Sequence, residues 1–284
     1  MKKIKNKNGF SLIEISIVML LIGILVAGIS QGSILKKQMK INAAKSLTKG
    51  SPVNAIPDLV VWYETTLETS FNEVDIFDGK ALTNVDGSAW KDNSPVRGNN
   101  AVIFTTEAPA YVKYGINDLP SLRFNGTDEH LITNYTRLVG KNYTIFAVEA
   151  RGDGNKNPVI GSDVVSYGYS SSNTLNGSLI NGTQAVPIFA SKIPRILTFL
   201  SAPKILTTKG VFVNGGNGSA AASAIADGSL FDSQPGFVGQ GVGEFYNGDI
   251  SEIIIFNRAL DLLERNAIQD YLSNKYKINV TPST

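Results

Sequence analysis

From Phe10 to Ile29 the chain is an almost unbroken apolar run, "FSLIEISIVMLLIGILVAGI". The hydrocarbon core of a bilayer is ~30 Å thick and a helix rises ~1.5 Å per residue, so about 20 such residues predict a transmembrane helix. Beyond it, "QGSILKKQMKINAAKSLTK" keeps a rough helical stripe: Ile34, Ile41 and Ala44, with Leu35 and Met39 beside them and lysines elsewhere. This predicts a stalk that continues the helix to about residue 50. Gly50, Pro52 and Pro57 then stop it, which makes residues 51–57 a linker.

From Asp58 the period changes. Short alternating or β-branched runs, among them "DLVVWY", "SLRFNG", "YTIFAVEA", "RILTFLSA", "KGVFVNGG" and "GDISEIIIFNR", are separated by Gly, Asn, Asp and Pro. That texture predicts an antiparallel β-sandwich or barrel. Asn214-Gly215 supplies the positive φ angles of a tight primed turn. A single helix closes the pattern in "LDLLERNAIQDYLSNKYKI". Asp261 and Glu264 form its capping box, Leu263, Ala267, Ile268, Tyr271 and Leu272 its buried face, and Lys275 and Lys277 suit the negative end of its dipole. The predicted class is mainly β: a long N-terminal transmembrane and stalk helix over residues 10–50, a sandwich over 58–280, one C-terminal helix, and a short tail at 281–284.

One residue breaks the apolar run. Glu14 costs about 2.5–3.5 kcal/mol near a helix centre on insertion scales, and less near an end. Charge elsewhere is lopsided. Residues 1–50 hold nine lysines and Glu14 as their one acid, whereas residues 51–284 hold 17 Lys and Arg against 23 Asp and Glu. An acidic body argues against a nucleic-acid groove. The chain has no cysteine, which removes disulfides, thiolate metal sites and a thiol nucleophile. Its single histidine, His130, gives a Ser-His site little to build on.

"KNGFSLIE" resembles the processing site of type IV prepilins and pseudopilins. In that family a basic leader ends in glycine, a membrane-embedded peptidase cuts after it, and the new N-terminal residue is methylated. An acidic residue follows at the fifth mature position. The resemblance makes residues 1–9 a leader, Gly9 and Phe10 the processing site, and Phe10 and Glu14 the assembly pair. It implies that Glu14 of one subunit neutralises the Phe10 amine of its neighbour. Many pilins carry a proline about twenty-two residues into the mature chain; Gln31 stands there in this sequence, which leaves Gly28 and Gly32 as the places for any local melting of the helix.

The body is similar to laminin-G-like and concanavalin-A-like jelly rolls. The matching stretches are "LVVWYETT", "WKDNSPVRGNNAV" with Trp90, Asp92, Ser94, Gly98, Asn99, Asn100 and Ala101, and "YNGDISEIIIFNRALDLLERNAIQDYLSNKYKI". Such domains bind carbohydrate or protein ligands, some through calcium. Trp90, Asp92, Asp128 and Glu129 are the candidate ligand-binding residues, and Asp128, Asp153 and Asn155 the candidate calcium ligands. Most have a structural alternative: core packing for Trp90, turn chemistry for Asp128, Glu129, Asp153 and Asn155. Glycosidases on this fold carry a Glu-x-Asp-x-x-Glu strand cluster, and here Glu149 and Glu252 are single strand carboxylates, so a non-catalytic role is expected.

The two resemblances together imply a pilin-like subunit, minor or at a tip, displaying a lectin-like module. Its partners would be the prepilin peptidase, other pilin or pseudopilin subunits, the inner membrane before assembly, and a carbohydrate or surface-protein ligand. It would start in the bacterial inner membrane and end on a pilus at the cell surface. The alternatives are a periplasmic type II secretion pseudopilin and a membrane-tethered sugar-binding module that does not assemble.

Overall fold

A computed structural model describes residues 11–96, 98–103, 106–133, 142–152, 157–163, 165–171, 174–179, 192–201, 210–216 and 236–281. Their contacts divide into two units, one ending at Lys40 and one beginning at Ile41.

The first unit is helical. Helix α1 runs Leu12–Lys49, unbroken through Gly23, Gly28 and Gly32, and is long and apolar enough to cross a membrane. The helix continues past Gln31, and Gly28 and Gly32 keep helical dihedrals at a cost of about 1 kcal/mol each. Leu12, Ile13, Met19, Leu21, Leu25 and Ile29 are all exposed. The stalk stripe divides: Ile34, Leu35 and Met39 are exposed, while Ile41 and Ala44 are buried in the second unit.

That unit is a sandwich of two antiparallel sheets. The larger has the order β11 (Gly210–Val213), β10 (Arg195–Ser201), β6 (Tyr143–Arg151), β15 (Asn247–Phe256), β4 (Ser121–Asn125), β3 (Ala110–Val112) and β2 (Lys80–Ala81), with β1 (Leu59–Glu64) also on β15. The smaller has the order β5 (Leu131–Thr133), β12 (Gly236–Val238), β7 (Asn157–Gly161), β8 (Val165–Ser171) and β9 (Thr174–Leu179), and β13 (Gln240–Gly241) and β14 (Glu244–Phe245) form a separate ribbon.

β15 organises the large sheet. One edge pairs with β6 along its length; the other pairs first with β4, through Asn247–Ile250, and then with β1, through Glu252–Phe256. The register slips between Ile250 and Glu252. A bulge resets the alternation of faces, so Ile250, Ile253 and Ile255 all join the core between the sheets, while Ile254 and Phe256 join the core on the other face.

That second face explains why β1 and most of β15 read as continuous apolar runs: they are covered on both sides. Helix α2 (Leu262–Tyr276) lies there with the last turns of α1, and Trp62, Phe146, Ile196, Ile268, Leu272 and Tyr276 share one cluster with Ile41 and Ala44. Asp261 and Glu264 close the capping box that their spacing predicts. The buried face of α2 differs from the expected one. Leu263 is 80% exposed. The helix instead buries Arg265, Ile268, Gln269, Tyr271, Leu272, Lys275 and Tyr276. Lys275 therefore does not serve the helix dipole from solvent, and Lys277 ends the helix in the left-handed conformation, φ 55°.

Asn214 and Gly215 have φ of 49° and 74°, the primed turn expected of this pair.

Candidate functional site

The N-terminal candidates are Gly9, Phe10 and Glu14. Gly9 and Phe10 lie outside the described residues. Glu14 sits in the first turn of α1, where its Oε2 accepts the backbone N–H of Ser11 at 2.8 Å. This is the reach-back half of a capping box, from the third helical residue to the residue before the helix. A carboxylate here also meets the positive end of the helix dipole. Local structure therefore offsets part of the cost of Glu14, and it places the carboxylate at the N-terminal end of the helix.

The stretch around Trp90 and Asp92 is a clamp on the edge of β1. Asp92 Oδ1 accepts the backbone N–H groups of Trp62 at 3.0 Å and Ser94 at 2.9 Å, and Oδ2 accepts the Ser94 hydroxyl at 2.9 Å. Asn99 Nδ2 donates to the Val60 carbonyl at 2.9 Å, and Asn93 N–H to the Trp62 carbonyl at 2.8 Å. The loop thus supplies partners that a neighbouring strand would otherwise supply. Trp90 is fully buried, stacked on Tyr63 at 5.2 Å and Phe71 at 6.1 Å, and its indole N–H donates to the Glu64 carbonyl at 2.8 Å. Its place is the core-packing alternative left open by the sequence.

Asp128 and Glu129 lie together at the rim of the small sheet. Both accept from Asn125: its side-chain amide donates to Asp128 Oδ1 and its backbone N–H to Glu129 Oε2, each at 2.8 Å. Burial raises the Glu129 pKa, the Asn125 N–H lowers it, and the Asp128 charge raises it again. His130 follows, its Nδ1 3.0 Å from the Asp128 carbonyl and its ring against Phe237 and Phe245. Asp153 and Asn155 lie outside the described residues, so the calcium set that includes them does too. Among the described residues no three His, Cys, Asp or Glu side chains come together as a metal site.

Two buried networks were not foreseen. In one, Glu149 accepts the hydroxyls of Tyr169 at 2.6 Å and Tyr246 at 2.7 Å, with Arg195 at 3.8 Å. Burial pushes the Glu149 carboxyl above the usual range despite these partners. In the other, Lys275 stands between Glu64 and Glu252, with all three side chains 0% exposed. Glu64 accepts from Thr66 N–H, the Thr66 hydroxyl, Leu67 N–H and the Ser70 hydroxyl. Burial would raise its pKa, but the Lys275 charge and these donors hold it below the usual range. The one sequence signal for either network was the presence of acids at core-facing strand positions, where an unpaired charge is not tolerated.

Residues 4–30 match the family model described as the prokaryotic N-terminal methylation motif. No curated protein matches the chain. Among solved structures, a mutant of Trypanosoma rangeli sialidase displaying trans-sialidase activity aligns with a TM-score of 0.51 and 12% identity, over 86% of this chain and 39% of that one. Trypanosoma rangeli sialidase in complex with sialic acid aligns at 0.49 and 12%, over 77% and 33%. Domain 4 of AbnA, a GH43 extracellular arabinanase from Geobacillus stearothermophilus, in complex with arabinotriose, aligns at 0.44 and 12%, over 75% of this chain and 98% of that one. The chain spans between a third and two fifths of the length of these sialidases, and at this identity the likeness is one of fold. The chain therefore carries a prepilin-type N-terminal methylation motif ahead of an antiparallel β-sandwich of jelly-roll type.

Proposed function

We propose that this protein is a minor or tip subunit of a type IV pilus-like filament, processed after Gly9 and displaying its β-sandwich as an adhesive, lectin-like head. The observation that carries the reading is the methylation motif at residues 4–30, with Glu14 in the first turn of an exposed apolar helix. Once the leader is removed, the Phe10 amine and Glu14 of adjacent subunits are opposite charges in a low-dielectric setting. There their attraction is strong and leaving either unpaired is costly, so the pair selects the axial register of assembly.

The head is read as a binding module and not as an enzyme. Glycoside hydrolysis needs two carboxyl groups facing one cleft, and Glu64, Glu149 and Glu252 are buried and already hydrogen-bonded. The rim carrying Asp128, Glu129 and His130 is the surface we assign to a carbohydrate or surface-protein ligand, with calcium as the candidate cofactor. Processing would require the prepilin peptidase in the inner membrane.

Shearing cells and fractionating the product tests the reading. Recovery of the protein with sheared surface filaments supports it. Retention in the inner membrane, with loss of protein export on deletion, would replace it with a secretion pseudopilin; retention without an export defect would leave a tethered binding module.

A further inference from the structure

Lys275 occupies a site closed to water. Its Nζ lies 2.8 Å from Glu252 Oε2, 3.1 Å from Glu64 Oε2 and 3.2 Å from the Tyr271 hydroxyl. Two acids face one ammonium, and in the strand register Glu64 and Glu252 stand directly opposite each other. Like charges in that position repel, and buried ions forfeit their hydration.

The carboxyl of Glu252 is held as an acyl group is held during acyl transfer. Oε1 accepts two hydrogen bonds, from the Trp62 indole N–H at 2.8 Å and the Tyr271 hydroxyl at 2.8 Å. Two fixed donors converging on one oxygen stabilise the charge that a tetrahedral intermediate would place there. Oε2 has the Tyr276 hydroxyl at 2.9 Å as a proton donor for a leaving oxygen. Nζ is held 2.8 Å from Oε2, against the carboxyl group whose carbon it would attack. Glu64, on the other side of Nζ, can relay a proton from the more acidic nitrogen of the tetrahedral intermediate to the leaving oxygen. Its four donors besides Lys275 keep it solvated by the protein whether or not the ammonium stays charged.

We propose that Lys275 and Glu252 condense to an internal amide that joins α2 to β15. Nζ passes one proton to Oε2 of Glu252, and its freed electron pair attacks Cδ of the resulting neutral acid. The Cδ–Oε2 bond then breaks, and the oxygen leaves as water. Of the three protons on the ammonium, one remains on the amide nitrogen and two depart with the water, one of them through Glu64, which returns to the carboxylate. Nothing is oxidised or reduced, and no co-reactant enters. The product exchanges a desolvated ion pair for a neutral group: its carbonyl keeps the Trp62 and Tyr271 donors, and its N–H faces Glu64. The covalent link would tie the last helix to the central strand of the sheet.

The test is a peptide map and intact mass of the full-length protein, after allowing for the start found at its N-terminus. The amide predicts a mass lower than the sequence by one water, no tryptic cleavage after Lys275, and a branched peptide carrying Lys275 and Glu252. Lys275→Arg keeps the charge but restores the full mass, and Glu64→Gln lowers the fraction linked. A wild-type protein of full mass, with Lys275 and Glu252 recovered on separate linear peptides, overturns the proposal whether or not either variant folds. A missing water that maps to any other pair of residues overturns it as well.

Discussion

Trp62 donates its indole N–H to Glu252 at 2.8 Å, joining the first strand of the body to the last across 190 positions of sequence. The two strands are paired from Leu59–Phe256 to Glu64–Glu252, so the body closes on itself at β1 and β15. What makes that closure tolerable is Lys275, delivered by α2 between the facing acids.

Removing the cation should therefore cost far more than a surface charge. Lys275→Met leaves two opposed buried carboxylates, and relative to wild-type protein in which the amide has not formed we expect a loss of about 3–5 kcal/mol, the range for breaking a buried pair. Urea unfolding of wild type and variant measures it. Adding Glu64→Gln and Glu252→Gln to Lys275→Met should recover part of the loss; a Lys275→Met variant within about 0.5 kcal/mol of wild type would show that the three groups do not act as a unit.

Asp92 and Asp128 provide a contrast between two acids that look equally suited to a ligand site in the sequence. Asp92 is buried and satisfies backbone N–H groups of Trp62 and Ser94. Asp92→Ala orphans them and should cost about 1–3 kcal/mol. Asp128 is an exposed turn residue, and Asp128→Ala should stay within about 0.5 kcal/mol. Denaturant midpoints distinguish the two.

Glu149 predicts a pH dependence of known sign. Burial lifts its folded pKa above the unfolded carboxylate value of about 4.3, so the folded state holds the proton more tightly. Its stabilising contribution is complete below the unfolded pKa and is lost as pH rises through the folded one. Relative to Glu149→Gln, wild type should lose stability as pH increases from about 4. Parallel pH curves for the two proteins would contradict this.

Glu14→Ala separates processing from assembly. The cut after Gly9 should proceed, since the scissile bond and leader are unchanged, while entry into filaments should fall to background. Electrophoretic mobility reports the first and the sheared fraction the second. Normal incorporation of the variant would remove the assigned role of Glu14.

Much of this architecture was legible because it rests on local rules. The apolar run marked α1, the Asp261–Glu264 spacing marked the start of α2, and Asn214-Gly215 marked a primed turn. The parts that were not legible depend on contacts between distant residues. Helical spacing put Leu263 inside and Lys275 outside, and the structure reverses both, because the sheet beneath α2 presents Glu64 and Glu252 at the end of the helix and calls for a cation there. The role of Asp92 was hidden for the same reason: it holds the edge of β1, 30 residues earlier in the chain. The bulge between Ile250 and Glu252, which aims Glu252 at α2, leaves no mark in an apolar strand pattern.

Mass analysis of the N-terminal peptide from native cells decides whether the first helix enters the pilin pathway. The expected result is a mature chain that begins at N-methylated Phe10, with Glu14 at its fifth position. A chain that begins at Met1, or one cut further along between Ala27 and Ser30, would contradict it.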